Sequence, residues 1–412
     1  MLPYNVAPEW RDAPPPITTG RYLMTISSFM PPVRTLMGPG PSDVHPRILA
    51  ALARPTLGHL DPLFVGMMDE LKQLLKYAFK TENELTLPIS APGSAGMEAC
   101  FVNLVEPGDK VVVCVNGVFG KRMCENVTRI GATAVAVDCA WGQPVDPAQV
   151  EAVLEQHRDA KILAFVHAET STGALSDAQA LCALAKKYEC LTIVDAVTSL
   201  GGVELRVDDW GIDAIYSGSQ KCLSCTPGLS PVSFSDAAVA AIKARKHPVQ
   251  SWFLDMNLIL GYWGEGGKRA YHHTAPVNAL YGLHESLVML QEEGLENAWQ
   301  RHAAMHASLA AGLEALGVHF VVDAGSRLPQ LNSVYIPDGV DDAKVRQYLL
   351  AEHNLEIGAG LGDFAGKVWR IGLMGYSARS ENVTLLLTAL AEAMTQQGYV
   401  CSAEDALAAA IK

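Results

Sequence analysis

From about residue 85 to 235, short runs rich in valine and isoleucine alternate with amphipathic stretches, and few architectures accommodate that rhythm. The runs are KVVVCV from Lys110, ATAVAV from Ala132, ILAFVH from Ile162, LTIVDA from Leu191 and DAIYSGS from Asp213. Apolar on both faces and separated by helical patterns, they predict an α/β fold with a mostly parallel sheet between helices. Helix starts are legible between them. Asp146 precedes Pro147 at a first helical position, with Gln149 three residues beyond Asp146, and Ser176 stands three before Gln179.

After residue 280 the pattern changes to one long helical region, Leu280 to Leu316, followed by the strand-like pieces HFVV, SVYI, LEIG and VWRIG and a last helix from about Glu381 to Gln397. This predicts a smaller C-terminal α/β domain. The expected division is an N-terminal extension at 1–33, a large domain at 34–293 and a small domain at 294–412. The first twenty residues, with Pro3, Pro8, Pro14, Pro15, Pro16, Glu9 and Asp12, lack the basic start and apolar core of a secretory signal and read as a disordered or strap-like leader.

Composition narrows the partners. Thirty-one basic against 44 acidic side chains leave a net charge of −13, which disfavours broad binding to nucleic acid or an anionic membrane, so an anionic substrate needs local cations. No apolar run approaches the roughly eighteen residues that cross a bilayer. Nine scattered cysteines in a chain of 412 residues suit reduced thiols and a cytoplasmic location better than a disulfide framework.

Four segments carry chemistry. SAPGSAGMEACFVNLV, from Ser90 to Val105, opens a helix on a Gly-Ser pair with Met97, Phe101, Leu104 and Val105 at helical spacing, so the N–H groups of Gly93 and Ser94 face outward as a phosphate-binding terminus. Alone, it reads as a helix cap. LTIVDAVTSLGG places Asp195 at the carboxyl end of a buried strand, where open α/β sheets hold ligands, although a strand-end Asp also caps turns. DAIYSGSQKCLSCTPGLSPVSF puts Lys221 after a small polar run and before a Pro-Gly turn, a setting that lowers an amine's pKa by desolvation. A neutral amine condenses with an aldehyde. Most lysines are solvated surface charges, but Lys221 with Asp195 and the Gly-Ser helix start supplies the three partners of a cofactor bearing an aldehyde, a basic ring nitrogen and a phosphate. In GKVWRIGLMG, Arg370 has the planar guanidinium that suits a carboxylate; by itself it reads as a salt-bridged strand arginine.

The run SGSQKCLSCTPGLSPVSFS, with VHAETSTG before it and YHHTAPVNALYGLHESL after it, resembles the class V aminotransferases of fold type I, which use pyridoxal 5'-phosphate; the likeness is nearest to the alanine/serine–glyoxylate (serine–pyruvate) branch and runs from about residue 34 to 397. The resemblance implies a seven-stranded, mostly parallel sheet in the large domain. It implies Lys221 as the lysine that condenses with the cofactor, Asp195 as the carboxylate on the pyridine nitrogen, and Gly93, Ser94 and Gln220 at the phosphate. Tyr271 and Thr274 match residues that reach the phosphate from a partner subunit, which implies a homodimer with shared sites. Phe119 stands where the family stacks an aromatic ring on the cofactor and Val197 packs its other face from the same strand face as Asp195. Thr170 resembles the hydroxyl residue near the ring oxygen. On the substrate side, Arg370 resembles the arginine that binds the α-carboxylate, and the GPGPSDV turn at Gly38 resembles the family's N-terminal loop. Ser94 replaces a mammalian His and Phe119 a mammalian Trp.

The implied activity is transfer of an amino group from alanine or serine to glyoxylate or pyruvate in two half-reactions, with small amino acids and 2-oxo acids as substrates. A ureidoglycine–glyoxylate transaminase is the alternative, though an Asn is expected there at Tyr271. Cysteine desulfurase is disfavoured by Gln220 before the lysine and by the absence of Cys between Cys225 and Cys401. A phosphonate-specific relative would gather extra basic residues. A non-catalytic fold relative and a nucleotide-dependent dehydrogenase stand as readings from other classes, the latter weakened because GKVWRIG follows the loose glycine motif at Gly360 where a helix is needed. No metal site is expected. Cys222 and Cys225 lack a second pair and read as structural thiols, adjacent His272 and His273 point apart, and His302 with His306 reads as a solvated helix face.

Overall fold

The computed structural model describes residues 27–264 and 269–411, so the leader assigned to the first twenty residues lies outside the described residues. The central sheet contains β1 (Leu85–Ile89), β2 (Lys110–Val115), β3 (Thr133–Asp138), β4 (Ile162–Val166), β5 (Leu191–Asp195), β6 (Ala214–Tyr216) and β7 (Ser230–Phe234). Its seven strands run in the order β1-β7-β6-β5-β4-β2-β3, and only β7 is antiparallel to its neighbours. All five valine-rich runs are strands. The two that pattern reading missed, β1 (LTLPI) and β7 (SPVSF), each contain a proline, which ordinarily argues against a central strand. In the structure Pro88 and Pro231 face each other in register, so both missing donors fall on one rung.

Helices cover the sheet. Asp146 caps Pro147–Gln156 by accepting the Ala148 N–H, as its spacing predicts. The start at Ser176 is shifted by one: Asp177 caps Ala178–Lys187 through the Ala180 N–H, while Ser176 is buried and accepts the Val145 N–H at 3.1 Å. Fully buried Phe64, Phe79, Phe101, Phe165 and Phe234 lie in the apolar core around this sheet.

The long helix expected from 280 to 316 is two helices, Val277–Glu293 and Leu295–Ala315, separated at Gly294, whose φ of 85° a residue with a side chain rarely adopts. A three-stranded antiparallel sheet follows, with β8 (Leu331–Tyr335), β9 (Gly358–Ala359) and β10 (Val368–Gly372) in the order β8-β10-β9. HFVV forms only an isolated bridge between Phe320 and Val334. The expected last helix is Ser380–Thr395, and a further one, Ala403–Ala410, follows it. These elements enclose a second apolar core that also takes in Met37, because Thr35–Leu36 pairs in parallel with Leu355–Glu356. The chain therefore begins its compact part, Arg34–Lys412, inside the C-terminal core and delivers the Gly38–Pro39 turn to the junction of the two sheets.

His302 corrects the solvated-face reading. It is fully buried, with Nδ1–H donating to Ala298 O at 2.6 Å and Nε2 accepting the Gly375 N–H at 2.9 Å; burial pushes its pKa down to about 4. His306 is partly buried and bonds Asn332 Oδ1 at 2.6 Å.

Candidate active site

β5 ends at Asp195, and the parallel register places it beside Tyr216 of β6. Tyr216 Oη–H donates to Asp195 Oδ2 at 2.7 Å and the Val197 N–H donates to Oδ1 at 2.8 Å. Burial raises the Asp195 carboxyl to about 6, while these two donors and the Lys221 and Arg122 cations pull it back. Val197 lies past the strand end, so the turn closed on Asp195, and not strand alternation, sets its position.

Lys221 stands in the loop between β6 and β7. Its ammonium donates to the Pro39 carbonyl, and a methyl group at Gly40 would lie 2.5 Å from Nζ, so the Gly38–Gly40 turn rests directly on the amine. Desolvation and then the nearby Arg370 charge lower its pKa to about 8. Arg370 on β10 is 7% exposed and forms no ion pair among the described residues. Nε donates to Ala359 O at 2.7 Å and Nη1 to Thr170 O at 3.2 Å; burial lowers its pKa to about 10. A buried guanidinium held by carbonyls alone is a receptor for an anion. Thr170 itself is buried, while Gly38 sits under the small sheet, with its carbonyl against Gly372.

At the other end, the helix Gly93–Leu104 starts from Pro92 with no side-chain cap, leaving the first N–H groups for an outside acceptor. A Cβ at Gly93 would lie 3.2 Å from Val197 Cγ2 and 3.4 Å from Ser217 O, and one at Gly218 would lie 2.8 Å from Gln220 Oε1. Among the described residues, that Gln220 oxygen is buried without a partner. Phe119 lies in the first turn of the helix Val118–Ile130, with the Arg122 guanidinium 4.9 Å from its ring. Gly93, Val197, Gln220, Asp195, Lys221 and Thr170 thus gather around the carboxyl ends of β4, β5 and β6, with Arg370 reaching Thr170 from the central strand of the small sheet. Tyr271 and Thr274 stand apart from them, both exposed and 3.4 Å from each other at their hydroxyls.

Sequence reading missed Tyr216, Arg122, the Pro39 carbonyl and Glu169. Only strand register reveals Tyr216. Cys222 and Cys225 are buried free thiols, Cys222 Sγ–H donating to Thr198 O at 3.3 Å. Among the described residues no cluster of His, Cys, Asp and Glu suits a metal, and no helix is long and apolar enough to cross a membrane.

A desolvated lysine and a buried acid at the carboxyl ends of this sheet thus face a buried arginine from the small sheet that has no ion pair among the described residues. The family model for aminotransferase class-V matches residues 48–383. Alanine–glyoxylate aminotransferase of Callithrix jacchus is 43% identical over 365 residues, 88% of each chain. The crystal structure of alanine–glyoxylate aminotransferase from Nostoc sp. superposes with a TM-score of 0.88 at 46% identity, covering 90% of this chain and 98% of that one. The ureidoglycine–glyoxylate aminotransferase from Bacillus subtilis has a TM-score of 0.91 at 38% identity, covering 93% and 99%. The chain belongs to the class V aminotransferase family.

Proposed function

We propose that the chain is a pyridoxal-phosphate-dependent transaminase that passes the amino group of alanine or serine to glyoxylate or pyruvate. The observation that carries the reading is that the Lys221 amine, resting on the Pro39 carbonyl, lies within electrostatic reach of both the buried Asp195 carboxyl and the buried Arg370 guanidinium. The N–H donors of the uncapped helix at Gly93 and Ser94 fit a phosphate end; Asp195, with one oxygen on Tyr216, fits a cationic ring nitrogen. When bound, pyridoxal phosphate supplies an aldehyde that condenses with amines and a ring that withdraws electrons from the substrate's α-carbon.

The chain's own residues do the rest. Asp195 would hold a proton on the ring nitrogen by facing it with a carboxylate. Phe119 and Val197 would hold the two faces of the ring and Thr170 its oxygen. Arg370 orients the substrate by its α-carboxylate. Lys221, with an amine near 8, takes the α-proton as base and returns it as acid. The Pro39 carbonyl gives the free amine a resting acceptor. A Cβ on Gly358 would collide with Pro39, so the substrate side is walled close to Gly38, which favours small side chains.

Tyr271 and Thr274 complete the phosphate end from a second copy, making the active unit a homodimer. Their exposure in the single chain supports this. The break at Gly294 and the two apolar cores support a boundary between a large domain ending at residue 293 and a small one, and nine free cysteines support a cytoplasmic location. Half-reaction rates for a panel of amino acids test the assignment: alanine or serine with glyoxylate should be fastest. Ureidoglycine as the fastest donor would move the chain to the alternative branch, which the B. subtilis structure keeps in view.

A further inference from the structure

Ala168–Glu169 pairs with Ala174–Leu175 in a short hairpin closed by the Gly173 N–H on Glu169 O at 2.8 Å. The turn drives the Glu169 side chain inward, where it is fully buried and has no ion-pair partner among the described residues. Desolvation raises its carboxyl to about 7. A neutral side chain would be cheaper to bury, so the position is best explained by what the carboxyl oxygens hold.

They hold the start of another element. The helix Val118–Ile130 begins at Gly117, which has no side chain to cap it. Val118 N–H donates instead to Ser171 Oγ at 2.9 Å and Phe119 N–H to Glu169 Oε2 at 3.3 Å. Glu169 Oε1 in turn accepts both the Ser171 N–H at 3.0 Å and the Ser171 hydroxyl at 2.5 Å. A Cβ at Gly117 would collide with Glu169 Cγ and Cδ, so the glycine is what admits the carboxyl. The helix that presents Phe119 is thus capped by a residue 50 positions away, and Arg122 braces the ring itself.

We infer that Glu169 is a positioning residue that sets the ring of Phe119 against the cofactor by capping its helix from the Thr170 turn. The inference rests on the pyridoxal phosphate reading above. It joins the two sides of the pocket, since the adjacent Thr170 carbonyl holds Arg370.

The test is the dissociation constant of pyridoxal phosphate from reconstituted Glu169→Ala, Glu169→Gln, Gly117→Ala, Phe119→Ala and the Glu169→Ala/Phe119→Ala double variant, with visible circular dichroism of the bound cofactor. Loss of the cap should weaken binding about tenfold in Glu169→Ala and change the dichroism. Glu169→Gln, nearly isosteric and able to fold where alanine leaves a cavity, keeps one acceptor and should fall between. Gly117→Ala should reproduce the alanine result, and the double variant should bind no more weakly than Phe119→Ala alone. Binding within twofold of wild type and unchanged dichroism in both Glu169 variants, or losses that multiply in the double variant, would overturn the inference while leaving the parent reading intact. A wild-type chain that takes up no pyridoxal phosphate overturns both.

Discussion

Asp195 and Tyr271 stand at opposite extremes of the same proposed site. Asp195 is 3% exposed, fixed by a strand end, a tyrosine hydroxyl of the neighbouring strand and the backbone amide of the turn that follows. Tyr271 is 62% exposed and contacts Thr274 and the ring of His59, and Trp252, stacked on the adjacent His272, is also exposed. If the proposed homodimer is right, the contrast separates a chemical half of the site that one fold completes from a phosphate half whose hold on the cofactor would need a second copy.

The most severe way to break the ring end is Lys221→Ala, which removes both the condensing amine and the proton carrier. Amino transfer should fall by about 10⁴-fold or more in single-turnover assays. Exchange at the wild-type rate would refute the assignment.

Asp195→Asn should come next, with kcat down about 10²- to 10³-fold, since a neutral amide does not hold the ring nitrogen protonated. Its stability profile gives a second check. The folded carboxyl titrates near 6 and a solvated one near 3.8, so in the cofactor-free chain it contributes stability that is present below about pH 4 and lost as pH rises to about 6. Subtracting the Asp195→Asn melting curve isolates that loss from the buried histidines, whose lowered pKa values act in the opposite direction.

Arg370→Lys should raise KM for the amino acid by about 10- to 100-fold, because an ammonium loses the paired hydrogen bonds of the guanidinium. Lys221 also has a pH signature: uptake of pyridoxal phosphate should quicken about tenfold per unit up to about pH 8 and then level off. An ordinary lysine would keep climbing toward 10.5. The smallest effect sharpens the comparison most. Tyr271→Phe should weaken cofactor retention about fivefold with kcat preserved in saturating cofactor, as loss of one neutral hydrogen bond implies.

How much of this was legible depended on whether the signal was local. The five parallel strands, the Asp146 cap and the lysine, acid and arginine of the pocket are each written in a short stretch of sequence. The strands with Pro88 and Pro231 were hidden because their proline cost is met only by pairing with each other. The i, i+4 spacing of His302 carries no trace of its partner, because the N–H that bonds its Nε2 belongs to Gly375, 73 residues on. Tyr216 and Glu169 were missed for the same reason: each acts across a register or a turn that only the folded chain creates. Ser176 was misread because Asp177 beside it offers the better cap, freeing the serine for Val145.

The most direct test is to load the purified chain with pyridoxal phosphate, reduce it with borohydride and map the modified peptide by mass spectrometry. The account predicts one phosphopyridoxyl group per chain, on Lys221, and visible absorbance that disappears on reduction. A label on another lysine, or none, would contradict it.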